Sequence, residues 1–197
     1  MKKELRAGIL NLRDGMPLAI RNERSSIIEK KLLSLPQYTI SKTLMSFCSF
    51  GSEVNTERII KHALESGKRV AVPKVSLKNK SMLISELNDY EKDLVSTPPY
   101  GILEPSCRAV RPVNPMELDL IIMPGVVFDR EGGRIGYGAG FYDRFLEKVP
   151  ENVCRMAIAF DLQLVNKLPK EPHDKLVDIL VTEKEILHFN LRSIPKD

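Results

Sequence analysis

Residues 132–140, "GGRIGYGAG", place five glycines in nine positions, and the run leads straight into "FYDRFLEKV". Glycine tolerates positive φ and lets other groups approach the backbone, so Gly133, Gly136, Gly138 and Gly140 can turn N–H groups toward one concavity. A nest of that kind feeding a helix N-terminus is a site for phosphate. The spacing is not GxGxxG, which fails at Phe141, nor a P-loop, which needs Gly-Lys-Ser/Thr. A hairpin turn within "FDREGGRIG" accounts for Gly132 and Gly133, but packing alone does not account for the alternation of Gly136, Gly138 and Gly140. Asp143 then falls in the first helical turn and has two readings. The helix dipole stabilises a carboxylate there by roughly 0.3–1 kcal/mol with no ligand at all. Alternatively it stands beside bound phosphates and recruits a divalent cation, since Mg²⁺ commonly takes one or two carboxylates plus phosphate oxygens.

The elements around this loop follow from periodicity and punctuation. Leu5, Ile9 and Leu12 recur at helical spacing and stop near Asp14-Gly15, and a second helix spans Pro17 to Leu33. "TLMSFCSF" (43–50) reads as a buried strand. "NTERIIKHALESGK" reads as a helix capped by Asn55 or Thr56 and ended by Gly67, and "RVAVPKV" as the next strand. That strand, helix, strand order is a βαβ unit and favours a parallel sheet. "SMLISEL" is a further strand, and "STPPYGILEPS" a proline-rich loop. "LDLIIMPGVVF" (118–128) is one continuous apolar run of the central-strand kind, directly ahead of the glycine loop. A helix from Phe141 to Lys148 and strands in "CRMAIAF" and "DILVTE" complete six strands. The expected fold is α/β: an open, mostly parallel sheet flanked by helices in three Rossmann-like layers, one domain over residues 1–197. Ligands of such sheets sit beyond the carboxyl ends of the strands, where the glycine loop lies.

Composition narrows the function. The net charge of +4 is dispersed, and the strands lack interleaved aromatic and basic residues, which argues against a nucleic-acid module. No apolar run approaches the length of a membrane span, and the N-terminus does not resemble a signal peptide, so a cytoplasmic protein is expected. Cys48, Cys107 and Cys154 are far apart and read as reduced core thiols.

The stretch "MPGVVFDREGGRIGYGAGFYDRFL" resembles the signature of the 5-formyltetrahydrofolate cyclo-ligase (methenyltetrahydrofolate synthetase) family. Lys2-x-x-x-Arg6, "EVNTERII", "VPKV", "GILEP", "AIAFDLQLV" and "LPKEPHDKLVDILVTE" fall in the family's order, and Phe141 replaces a more frequent tyrosine. The resemblance implies an enzyme that uses ATP as co-substrate and Mg²⁺ to convert 5-formyltetrahydrofolate to 5,10-methenyltetrahydrofolate, releasing ADP and phosphate. Carried over by position, Lys2 and Arg6 meet ATP phosphates, and the run Arg134, Ile135, Gly136, Tyr137, Gly138, Ala139, Gly140, Phe141 and Tyr142 cradles the nucleotide. Asp143 and Asp174 hold Mg²⁺, and Arg134, Tyr142 and Asp143 form the catalytic group. Glu53 binds the pterin's donor edge, with Cys48, Met82, Tyr100, Tyr137, Gly138, Gly140 and Tyr142 also bordering the folate. Lys74 is a possible phosphate or glutamate-tail contact, and His173 is assigned no catalytic role. The resemblance also suggests a monomer whose partners are these small molecules, with no nucleic acid and no membrane. Two rivals remain: a sugar-phosphate isomerase or acyl transferase using the nest without ATP, and a binding protein that has lost turnover.

Overall fold

Strands three to eight residues long, rich in β-branched and aliphatic side chains, generate the central sheet. The computed structural model describes residues 1–79, 81–169, 171 and 174–189. Three helices come first: α1 (Lys2–Asp14), α2 (Leu18–Leu33) and the short α3 (Pro36–Ile40). The βαβ unit follows as β1 (Thr43–Ser46), α4 (Glu57–Glu65) and β2 (Arg69–Ser76), then β3 (Ser81–Leu87) and α5 (Tyr90–Asp93). A hairpin of β4 (Leu94–Thr97) and β5 (Ile102–Pro105) precedes β6 (Leu120–Met123), β7 (Val127–Asp129), β8 (Arg134–Ile135) and α6 (Phe141–Leu146). The chain then supplies β9 (Cys154–Ile158), β10 (Leu164–Val165), β11 (Ile179–Val181) and β12 (Ile186–His188).

Seven strands form the main sheet in the order β12-β11-β9-β6-β1-β2-β3. The inner five run parallel, and β12 and β3 add antiparallel edges. Alternate side chains of each strand enter opposite cores. Leu44, Leu120 and Ile122 join Ile28, Leu32, Ile59 and Ile60 on the face covered by α2 and α4. Met45, Ile121 and Met123 join Phe145, Leu146 and Val149 on the other, beside α6. Burial on both faces explains why these strands read as unbroken apolar runs. The expected three-layer α/β fold is the one observed.

From β1 the chain proceeds to β2 and β3 on one side, then returns to place β6 on the other side of β1. The order therefore reverses between β1 and β6, and the crevice at their carboxyl ends is where open α/β sheets bind ligands.

Five sequence expectations need correction. The run 118–128 is not one strand: it breaks at Pro124-Gly125, and β7 leaves the main sheet to pair with β8 and β10. Proline lacks an amide to donate, so the ladder ends there, and the second half still looks apolar because the small sheet is also buried. Residues 43–50 form a strand only to Ser46. The proline-rich stretch contributes residues to the β4–β5 hairpin rather than forming only a loop. Leu12 is exposed, whereas Leu5, Ile9 and Leu10 of α1 pack on the small sheet's Val126, Val127 and Ile135. Cys48 and Cys154 are buried, but Cys107 is exposed; all three are free thiols.

Candidate functional site

Two loops meet in that crevice. One leaves β1 with Phe47, Cys48, Phe50 and Glu53; the other leaves β6 through Pro124 and returns by the β7–β8 hairpin into residues 136–140. They line a cavity of about 980 Å³, open to solvent, with Lys2 and Arg6 from α1 and the β2–β3 and β4–β5 strands on its other walls. Apart from Lys74, every site residue expected from sequence among the described positions borders it: Lys2, Arg6, Cys48, Glu53, Met82, Tyr100, the run from Arg134 to Asp143, and Asp174. His173 lies outside the described residues. Lys74 does not line the cavity, because its ammonium is turned onto the Pro105 carbonyl at 2.5 Å.

The local chain explains the motif around the loop. At Gly125 an added Cβ would stand 2.3 Å from Cζ of the fully buried Phe128 ring, so any larger residue at the Pro124-Gly125 break would force that ring to shift. Asp129, also fully buried, accepts from the amides of Glu131 and Gly133 through one oxygen and from Leu168 through the other. It thereby ties the hairpin to the segment that continues to Asp174. Gly132 makes the hairpin turn at φ 80°, as the sequence suggested. Gly138 and Gly140 adopt positive φ, whereas Gly133 and Gly136 do not. Gly133 serves the hairpin, so the expected four-glycine nest reduces to the curl around Gly138 and Gly140. The helix after it, α6, has only six residues, so the curl's own amides matter more than a macrodipole.

Cationic side chains surround the curl. Arg6 Nε donates to the Gly136 carbonyl at 2.7 Å, and Arg144 Nη2 to Ala139 at 2.8 Å. Arg134, whose side chain is only 4% exposed, donates from Nη2 to Asp143 Oδ1 at 2.8 Å, while its Nε has no hydrogen-bond partner. Lys2 Nζ lies 2.7 Å from Asp174 and 3.2 Å from Glu171. Burial works against the Lys2 ammonium, but the two carboxylates outweigh it and leave its pKa above the ordinary value. Asp143 and Asp174 thus each hold a cationic side chain in this structure. Among the described residues no three acidic, histidine or cysteine groups gather as a metal cage. That donor set still suits Mg²⁺, which needs only one or two protein carboxylates when phosphates and water supply the other oxygens.

The other half of the cavity is more apolar and carries two acids. Burial pushes the Glu53 carboxyl up to about 7, against a hydrogen bond from Tyr137 (2.8 Å), the Phe50 amide (3.1 Å) and the nearby Arg13 charge. Glu104, buried on β5, accepts from the Val75 amide at 3.0 Å. Burial pushes the Cys48 thiol up to about 12, helped by Glu104, so it is neutral and no nucleophile. The buried Tyr142 hydroxyl has no partner, and burial raises its pKa strongly. Such an orphaned donor in a cavity wall is costly unless a ligand answers it. Tyr100 stands exposed at the rim.

Sequence reasoning missed Arg13, Glu104 and Glu171. Arg13 carried a signal: it lies seven residues, two helical turns, beyond Arg6 on α1 and so shares its face. The two glutamates carried none, since each depends on contacts made by distant strands or loops.

The model of the 5-formyltetrahydrofolate cyclo-ligase family matches residues 1–183. The 5-formyltetrahydrofolate cyclo-ligase of Mus musculus is 31% identical over 189 residues, covering 92% of this chain and 93% of its own. That of Escherichia coli K12 is 33% identical over 158 residues, covering 79% and 86%. Among solved structures, the Aquifex aeolicus 5,10-methenyltetrahydrofolate synthetase superposes with a TM-score of 0.83 at 31% identity, over 99% of this chain and 96% of that one.

Proposed function

We propose, from the premise that the chain belongs to the 5-formyltetrahydrofolate cyclo-ligase family, that this ligase closes the 5,10-methenyl ring of 5-formyltetrahydrofolate with ATP as co-substrate. The observation that carries the reading is the division of one cavity into a cationic half around the glycine curl and an apolar half ending at Glu53.

In this reading the triphosphate lies along the curl. Its oxygens take the amides about Gly138 and Gly140 and the side chains of Lys2, Arg6 and Arg134, whose unpartnered Nε is a ready donor. Lys2 and Arg134 then exchange their aspartate partners for phosphate. Asp143 and Asp174 are the residues that would hold Mg²⁺, which when bound neutralises charge on the phosphates. The folate's pterin enters the other half, where ionised Glu53 accepts from its amino and ring N–H donors, and Met82, Tyr100 and Tyr142 flank its rings.

The chemistry follows from the leaving group. A formamide oxygen departs poorly, so the formyl oxygen attacks the γ-phosphorus and the bond to ADP breaks. N10 then adds its lone pair to the activated formyl carbon, loses its proton, and the C–O bond breaks to release phosphate. The chain's contribution is positioning and charge neutralisation. Arg134 is suited to the charge developing on the transferred group, and the Tyr142 hydroxyl to an oxygen of the bound reactants. Mixing the protein with Mg·ATP and 5-formyltetrahydrofolate should yield the absorbance of the conjugated methenyl product, with one ADP per ring closed. Binding of both ligands without product would overturn the reading.

A further inference from the structure

α1 does more than carry Lys2 and Arg6. Arg13, near its last turn, is 3% exposed and committed on both sides. Its Nε donates to Ser52 Oγ at 2.9 Å, and Ser52 in turn donates to Asp14. Its Nη2 donates to the Tyr137 hydroxyl at 2.7 Å, and that hydroxyl donates to Glu53 Oε1 at 2.8 Å. The Tyr137 ring also lies near the Arg13 guanidinium, 5.8 Å from its centroid, and near the tilted Phe50 ring at 5.3 Å. A buried cation thus reaches the cavity carboxylate through one tyrosine, and Ser52 adjoins Glu53 in the chain.

We propose that Arg13 is a positioning residue for the folate: acting through Tyr137, it holds Glu53 ionised and oriented toward the pterin donors. The proposal rests on the folate reading of the cavity given above. Each Glu53 oxygen accepts one protein hydrogen bond and so keeps a second acceptor site for a ligand. Arg13 does not touch the substrate. It sets the hydroxyl's direction, because a hydroxyl that accepts from Arg13 has its single proton left for Glu53.

The groups facing Glu53 are known from each side. Arg13 comes from α1, Tyr137 from the glycine loop, Tyr142 from α6 and the Phe50 amide from its own loop. Cys48 and Arg134 stand one group further, against Tyr142, and Glu104 beyond Cys48. Arg13 is the cation acting on Glu53, while burial opposes ionisation. Without Arg13 the carboxylate loses its nearest positive charge and the hydroxyl is free to turn.

The test is the pH dependence of kcat/KM for 5-formyltetrahydrofolate at saturating Mg·ATP, for the wild type, Arg13→Gln, Arg13→Lys and Tyr137→Phe. Arg13→Gln should move the acid limb upward by on the order of one unit, a shift typical of losing one opposite charge. At pH 7 that costs about fivefold in kcat/KM, carried by KM, and at pH 9 the loss nearly vanishes. Arg13→Lys keeps the charge and should return the limb most of the way, and Tyr137→Phe should move it in the same direction as Arg13→Gln. KM for ATP should change less than twofold. A wild-type limb with an equal loss for Arg13→Gln at every pH would reduce Arg13 to a structural role and overturn the proposal. A folded wild type with no activity toward this folate would instead overturn the functional reading. If Arg13→Gln fails to fold, as circular dichroism would show, Arg13→Lys and Tyr137→Phe carry the test: an unmoved limb in Tyr137→Phe overturns the proposal.

Discussion

Replacing Asp143 by asparagine separates the two roles its position allows. In this structure Asp143 is paired with Arg134 at 2.8 Å, and the arginine is almost wholly buried while the aspartate side chain is 30% exposed. Breaking a fully buried pair costs about 3–5 kcal/mol, but partial exposure screens this one, and asparagine still offers a carbonyl to Nη2. A loss of roughly 1–2 kcal/mol follows, or about 2–6 °C in Tm for a chain of this size. The fold survives. Activity should suffer more, because a carboxylate that holds the metal on transferring phosphates contributes several kcal/mol, and each 1.4 kcal/mol is tenfold in rate. Turnover, followed by methenyl absorbance, should fall by about 100-fold or more. Calorimetry should show metal-free ATP binding at least as tightly as to the wild type, since a negative charge beside the phosphates is gone. Mg²⁺ should no longer strengthen it. Normal turnover with unaltered Mg²⁺ dependence would refute the reasoning and leave Asp143 as an N-terminal charge on α6.

Lys2→Gln should raise KM for ATP about tenfold, the size of one charge-assisted hydrogen bond, with KM for folate within twofold; equal effects on both would place Lys2 elsewhere. Burial raises the Glu53 carboxyl above its unfolded value of 4.5 to about 7, so the folded chain binds this proton more tightly and Glu53's contribution to stability declines as pH rises between those values. If the folate binds ionised Glu53 as proposed, its Kd should be about tenfold lower at pH 8 than at pH 6 by calorimetry, and a flat profile would contradict this. Gly125→Ala puts a methyl 2.3 Å from the rigid Phe128 ring and should lower stability by about 1–3 kcal/mol or more in urea unfolding; an unchanged midpoint would be inconsistent with that packing.

What the sequence conveyed was mostly local. The βαβ unit, the Gly132 turn and the helix start at Phe141 depend on residues a few positions apart, and each was legible. The break at Pro124 was not, because β7 remains buried in a second sheet and apolar patterning cannot distinguish which sheet a strand joins. The packing of α1 was legible only in part. Leu10 faces the small sheet in place of Leu12, and that sheet lies more than a hundred residues along the chain. The same separation hid Arg13, whose partner Tyr137 is 124 positions away. Lys2, Arg6 and Asp174 came from family resemblance, and by composition Lys2 and Arg6 were ordinary surface charges; Asp143 alone was legible from its place at a helix start beside the glycine run, as a dipole charge or a cation ligand. Their convergence on one cavity is a tertiary fact, made by the reversal of strand order between β1 and β6.

The central claim is that the glycine curl presents a γ-phosphoryl group to the formyl oxygen of a folate seated against Glu53. Substrate labelled with ¹⁸O in the formyl group tests it in one turnover. The account predicts that the label leaves in inorganic phosphate, one atom per methenyl product formed. Label appearing in water, with unlabelled phosphate, would contradict it.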